Sequence, residues 1–217
     1  MSDRRSVPRR EVHHADALKW LAVPRALDGA SVITSLPDVS ELQLGLDGWQ
    51  RWFVSAAGAV LRALDGDGVA IFFQSDIRKR GLWIDKSALV SRAAGEVGAH
   101  LLFHKIVCRL PPGTPTTGRA SYAHLVGYAR RPRPMRRPSA DVIPDGGFRP
   151  APKAMGVNAC AEACRIVLGE TPTRTVVDPF CGFGTVLAVA NSLGLDAVGV
   201  DLSARMCRRA RTLELAA

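Results

Sequence analysis

Val176-Val177-Asp178-Pro179-Phe180-Cys181-Gly182-Phe183-Gly184-Thr185 decides how the rest of the chain is read. It spells a short apolar strand, a glycine turn and the start of a helix running from Thr185 to Leu193. A second strand, Ala197 to Val200, follows and ends on Asp201. Glycine lets backbone pass close to a ligand because it carries no Cβ. A free helix N-terminus beside it offers unpaired N–H groups. An acid one strand later is suited to holding two ribose hydroxyls. Strand, turn, helix, strand and acid together make an adenosine-cofactor half-site. The dinucleotide pattern GxGxxG is not met, since no third glycine follows Gly184 in register. A tight strand–helix turn holding no ligand is the plainer alternative.

The segment Asp-Pro-Phe-x-Gly-x-Gly-Thr resembles the cofactor motif of the amino-methyltransferases that use S-adenosylmethionine. It is most similar to the circularly permuted DNA and RNA methyltransferases, in which this motif lies late in the chain. The resemblance implies that Asp178, Pro179, Phe180, Gly182, Gly184 and Thr185 surround the methionine and ribose of the cofactor. It implies that Asp201, with Leu202 beside it, takes the ribose hydroxyls. No metal is called for. In a permuted chain the strand near Glu11 to His14 becomes the third of the cofactor half, and Asp16 at its end faces the adenine. Asp16 also suits the N-cap of a helix through Ala17-Leu18-Lys19-Trp20-Leu21. A similar lysine-containing motif in the family points to Lys153, Met155 and Asn158 as the wall at the methionine end. The helix there is expected to open at Lys153-Ala154-Met155-Gly156 and run to Leu168.

The family carries its catalytic loop as Asp, Asn or Ser, then Pro-Pro and an aromatic. Here Ser35-Leu36-Pro37-Asp38 follows the strand Gly29 to Thr34. A target amine must aim its lone pair at the methyl carbon, and a side-chain oxygen plus a backbone carbonyl orient it by accepting its hydrogens. Ser35 and the Leu36 carbonyl retain that capacity. The aromatic that stacks on an extruded base is missing. Asp38 then either takes a proton from the target or caps the helix that follows.

The chain has 217 residues, 47% of them apolar, which suits one globular domain. The expected division is a basic tail over 1–10, a catalytic half over 11–129, an Arg/Pro-rich recognition segment over 130–153 and a cofactor half over 154–217. There is no apolar run of membrane-spanning length. Five scattered cysteines argue for a reducing, cytoplasmic setting. Cys160 and Cys164 lie four apart on a predicted helix, without a second pair to complete a metal site, so core packing is the reading preferred. A net charge of +9 suits a polyanionic partner.

Leu46 to Leu64 is a predicted helix with Trp49, Trp52, Phe53 and Val60 on one face. Val69 to Gln74 is a continuous apolar strand, as buried parallel sheets require. The segment beyond it carries Arg78, Lys79, Arg80 and Trp83, candidates for a substrate wall at the carboxyl end of the strand. A helix over Ser87 to Val97 and an antiparallel pair, His100 to Arg109 with Ser121 to Ala129, close the sheet. His124 within that pair reads as a packed residue. Arg130, Arg131, Arg133, Arg136 and Arg137 alternate with prolines as an extended, phosphate-contacting strip. The last helix runs Ser203 to Leu215.

These features predict an α/β fold: a Rossmann-like, mostly parallel seven-stranded sheet with helices on both faces, circularly permuted, with an antiparallel hairpin at one edge. The function they imply is methyl transfer from S-adenosylmethionine to nucleic acid. RNA is expected ahead of DNA, with transfer RNA the leading case, since only residues 130–153 are left for sequence recognition. The alternatives are a small DNA amino-methyltransferase and a non-catalytic, RNA-binding scaffold subunit. The oligomeric state is not legible.

Overall fold

A computed structural model describes residues 7–24 and 26–215, so the first six residues of the expected tail lie outside the described part. The chain opens with β1 (Arg10–His14), α1 (Ala17–Leu21), β2 (Ala30–Thr34), α2 (Leu46–Ala63) and β3 (Ala70–Gln74). A short hairpin, β4 (Ile77–Lys79) and β5 (Leu82–Ile84), comes next, then α3 (Lys86–Val97), β6 (His100–Cys108), β7 (Tyr122–Ala129) and β8 (Val142–Ile143). The cofactor half adds α4 (Val157–Glu170), β9 (Thr175–Asp178), α5 (Thr185–Ser192), β10 (Asp196–Asp201) and α6 (Ala204–Thr212).

One sheet has the order β1-β10-β9-β2-β3-β7-β6-β8. From β1 to β3 every neighbour is parallel, and β7 then pairs antiparallel with both β3 and β6. This is the predicted permuted arrangement: the late strands β9 and β10 insert between β1 and β2. Two details differ from the expectation. The sheet has eight strands rather than seven, because Val142–Ile143 adds a two-residue parallel edge to β6. The segment after β3 is a hairpin rather than a loop, turning at Arg80 and Gly81 with φ of +52° and +77°. Both central residues lie in the left-handed region that two-residue hairpins of this kind need.

Helices cover both faces. On one, Trp49, Phe53 and Val60 of α2 and Val90 of α3 pack on Val32, Ala70 and Phe72. On the other, Ala163, Cys164 and Val167 of α4 and Leu187 of α5 pack on Ile33, Ile71 and Val176. Cys160 and Cys164 are both fully buried in that second core. Losing a buried aromatic such as Trp49 to alanine costs about 3–5 kcal/mol. α4 starts at Val157, four residues later than the sequence suggests, because residues 151–154 form turns and bends and Gly156 is an extended N-cap.

The Arg/Pro-rich segment corrects the sequence reading. Arg130 follows Ala129, which pairs with His100 at the amino end of the sheet, far from the carboxyl ends where ligands bind. Arg130 donates to the Val97 carbonyl, and Arg133 donates to the carbonyls of Asp67 and Gly68. The backbone N–H groups of Arg136 and Arg137 donate to Glu170, at the end of α4. The Arg131 guanidinium lies beside Gly66, in the turn before β3. These five residues tie the amino end of the sheet together and do not form a wall of the site.

Gly184 sits at the N-cap of α5 with φ of +82°, and a Cβ there would lie 2.7 Å from the Ala210 Cα of α6. Gly184→Ala is therefore expected to destabilise the protein by about 1–3 kcal/mol through overpacking and left-handed strain. Urea denaturation at equilibrium checks this, and a midpoint equal to that of the parent contradicts it.

Candidate active site

β9 runs into the elbow, β10 ends beside it, and β2 leaves the sheet on the neighbouring strand. Between β9 and β2 the strand order reverses, so the carboxyl ends open a crevice there. Thr34 Oγ1 donates to Asp178 Oδ1 at 2.7 Å across this junction, and Phe180 N–H donates to the same oxygen at 3.2 Å. Burial pushes the Asp178 carboxyl up from 3.8 to about 7, against the hydrogen bonds from Thr34 and Phe180. Asp201 holds the elbow from the other side. Its Oδ2 accepts from Gly182 N–H at 3.0 Å, and its Oδ1 accepts from Ser203 N–H at 2.7 Å.

A cavity of about 860 Å³ occupies the crevice. Asp178, Pro179, Phe180, Gly182 and Thr185 line its elbow side. Asp201, Leu202 and Asp16 line the far end, and Ser35, Leu36, Pro37, Lys153 and Met155 close the other wall. Asp16 also caps α1, accepting from the N–H groups of Leu18 and Lys19, so both readings of that residue coexist. Two expected wall residues fall elsewhere. Gly184 is absent from the lining because its Cα faces α6. Asn158 instead donates to the Asp145 carbonyl at 3.3 Å and so fastens the 145–147 turn. Sequence reading missed Trp52, whose ring meets Phe180 edge-on at 6.0 Å. Its helical spacing marked it only as a core residue.

The loop after β2 stands between this cavity and a second one of about 380 Å³. Ser35 and Leu36 line both, Pro37 the first, and Asp38 the second. The Trp49 indole donates to the Pro37 carbonyl at 3.1 Å, fixing the loop from the core below. Asp38 begins a 3-10 turn over Val39–Glu41 with a reciprocal capping box, and its Oδ2 lies 3.9 Å from Lys86 Nζ. Lys86 is buried at 4% exposure, and its ammonium pKa is lowered by that burial against the pull of Asp38, Glu41 and Asp76. Lys153 Nζ lies 3.7 Å from Glu41 Oε2, joining the 151–156 segment to the 3-10 turn.

Asp76, just past β3, anchors the outer side. It accepts from His124 Nε2 at 3.1 Å, from Trp83 Nε1 at 3.0 Å and from Lys86 N–H at 3.0 Å. Burial alone raises its pKa, yet these bonds outweigh it and hold the carboxyl below its ordinary value. His124 is thus a buried support, as the sequence reading has it, with His104 at 2.9 Å on its other ring nitrogen. Arg78 stacks over Trp83 at 4.7 Å and lines the second cavity, while Lys79 and Arg80 are exposed on the hairpin.

Residues 165–212, which contain the elbow, β9, α5, β10 and α6, match the family model for N6 and N4 DNA methylases. Over that segment the chain is similar to the DNA methylases. None of the curated protein sequences matches it. Among solved structures, the candidate DNA modification methylase TTHA0409 of Thermus thermophilus shares 23% identity at a TM-score of 0.71, over 93% of this chain and 92% of that one. The cytosine-N4-specific PvuII DNA methyltransferase shares 14% identity at a TM-score of 0.75, over 96% and 88%. The complex of M1.HpyAVI with S-adenosylmethionine shares 14% at 0.65, over 93% and 97%. At these identities the likeness establishes the methyltransferase fold.

The residues of this crevice fit S-adenosylmethionine. Its volume lies within the roughly 300–1,000 Å³ of small-molecule pockets. Gly182, with φ of +48°, leaves open space where a Cβ would stand. Thr185 Oγ1 is buried on the cavity wall and has no hydrogen-bond partner among the described residues.

The raised Asp178 carboxyl has a consequence for stability. A folded-state pKa above the unfolded one means that the native protein keeps a proton the unfolded chain releases. Stability therefore falls as pH rises from about 4 to about 7 and then levels. Asp178→Asn retains an oxygen for Thr34 and Phe180 but has no charge to bury. Its melting temperature relative to the parent should climb across that range, as followed by circular dichroism without cofactor. A difference independent of pH contradicts the assignment.

Proposed function

We propose that this methyltransferase modifies an exocyclic amino group of a base in duplex DNA. The observation that carries the reading is the pair of adjoining cavities with the Ser35–Asp38 loop between them. One cavity suits an adenosyl donor and the other a polar, flat acceptor. S-adenosylmethionine, when bound, supplies an electrophilic methyl group. Ser35 Oγ and the Leu36 carbonyl accept the hydrogens of the amine and so direct its lone pair across the loop. Lys86 donates to a ring or carbonyl acceptor of the base, and Asp38 and Glu41 balance its charge and accept from donors of the base. The polar floor takes over the holding role of the aromatic that the loop lacks.

The match to DNA methylases supports DNA over the RNA expected from the sequence. The reason for preferring RNA has also weakened. An arginine-bearing surface that includes Arg78, Arg109 and Arg119 borders the second cavity, so substrate contact is not confined to residues 130–153. The division into a catalytic half, a connecting segment and a cofactor half is kept as a functional proposal. Free thiols at Cys108, Cys160, Cys164, Cys181 and Cys207 accord with a reducing, cytoplasmic setting. Among the described residues no helix is long and apolar enough to cross a membrane.

The purified protein, supplied with methyl-labelled S-adenosylmethionine and either duplex DNA or transfer RNA, should label the DNA. Nucleoside mass spectrometry should then find N4-methylcytosine or N6-methyladenine. Label confined to RNA overturns the DNA assignment. Asp201→Ala should weaken cofactor binding about tenfold or more, since it loses the ribose acceptor and releases Gly182 N–H. Unchanged affinity by calorimetry shows that the ribose contact lies elsewhere.

A further inference from the structure

The second cavity is lined by two kinds of charge, separated in depth. Its floor carries Lys86, buried, with Asp38, Glu41 and Asp76 around it. Its outer side carries Arg78, Arg119 and Arg149, all exposed, and Arg109, half-buried. The floor is electrically mixed and suits a neutral base. The rim is cationic.

That cationic rim is only partly balanced, with four arginines beside one carboxylate, Asp145. Arg78 donates to the Thr117 carbonyl at 2.9 Å, and Arg149 to the Pro152 carbonyl at 3.4 Å. Neither bond neutralises charge. Arg109 is held below its ordinary pKa by burial first and then by repulsion from Arg149 and Arg119. Asp145, the carboxylate beside them, has its Oδ1 committed to Gly147 N–H. Like charges gathered at partial burial disfavour one another until an anion arrives. Guanidinium groups match phosphate oxygens in geometry and are weakly hydrated.

We infer that Arg78, Arg109, Arg119 and Arg149 form a clamp for the backbone phosphates that flank the target base in duplex DNA. This rests on the function proposed above and gives that site its polyanion contact. The clamp is assembled from three separate segments: the hairpin after β3, the β6–β7 connection and the 145–156 crossing. All three lie at the carboxyl ends of the strands, on the side of the donor cavity. The strip at 130–137, richer in arginine, is at the opposite end of the sheet, where Arg130 and Arg133 donate to backbone carbonyls and the backbone N–H groups of Arg136 and Arg137 donate to Glu170.

Fluorescence anisotropy with a labelled duplex, across a salt series, tests this. Each phosphate contact contributes about 0.9 to the slope of log affinity against log salt. The double variant Arg109→Gln, Arg149→Gln should lower that slope by about 2 and weaken binding at low salt. Its affinity for S-adenosylmethionine should match the parent. Its melting temperature should equal or exceed that of the parent, because repulsion is relieved. The control Arg136→Gln, Arg137→Gln should leave the slope unchanged. A slope unaltered in the first variant, or lowered equally in the control, overturns the clamp, and continued methyl transfer to DNA would leave the proposed function standing. The single variant Arg149→Gln, at an exposed position, reads the same slope should the double variant melt early. Tighter binding of transfer RNA than of duplex overturns the DNA assignment itself.

Discussion

A single hydrogen bond, Thr34 Oγ1 to Asp178 Oδ1, spans the junction on which the site is built. The two residues lie 144 positions apart in sequence and are neighbours only because β9 inserts beside β2. On one side of that junction the chain winds through α5 toward β10 and β1. On the other it winds through α2 toward β3. Helices therefore leave in opposite directions, and a crevice is the geometric result. Burial raises the pKa of the carboxyl that the bond fixes to about 7. Its neighbour Asp201 stays engaged with two backbone N–H groups and shapes the elbow from the opposite strand.

From that junction the division of labour follows. The donor side is apolar, built from Phe180, Met155, Trp52 and Leu36, with polar groups few and placed at the edges. The second cavity carries more polar and charged groups, beside apolar Leu36, Phe73, Ile77 and Val107, and gains its shape from the knot around Asp76, where His124, Trp83 and Lys86 N–H converge. The Ser35–Asp38 loop borders both cavities. Trp49 secures its Pro37 carbonyl and the capping box secures Asp38, so the loop is held at both of its later positions. A preorganised loop of this kind spares the reaction the entropy of aligning the amine.

Much of this was legible in the sequence because it is local. The elbow is a contiguous run, and a strand, a glycine turn and a following acid leave their mark in neighbouring residues. The loop at Ser35–Asp38 was marked by its place after an apolar strand, and the permutation by the late position of the elbow. What escaped notice depends on long-range placement. Gly184 and Gly182 look alike in sequence, yet α6 packs against one and open space faces the other. Asn158 lies on the helix expected to close the donor site, but that helix starts late and turns it toward Asp145. The arginines at 130–137 were conspicuous because they are clustered, whereas Arg78, Arg109, Arg119 and Arg149 are scattered along the chain and meet only when β3, β7, β6 and β8 line up in one sheet. Trp52 was seen as core because helical periodicity cannot distinguish a cavity wall from a packed interior.

The central claim is that the transferable methyl lies between the glycine elbow and the Ser35 loop. A crystal structure with an S-adenosylmethionine analogue carrying an amine in place of the sulfonium methyl tests it most directly. The account predicts the ribose at Asp201, the amino-acid end between Phe180 and Met155, and the amine facing Ser35 and the second cavity. An analogue bound elsewhere, or one whose amine points away from that loop, contradicts it.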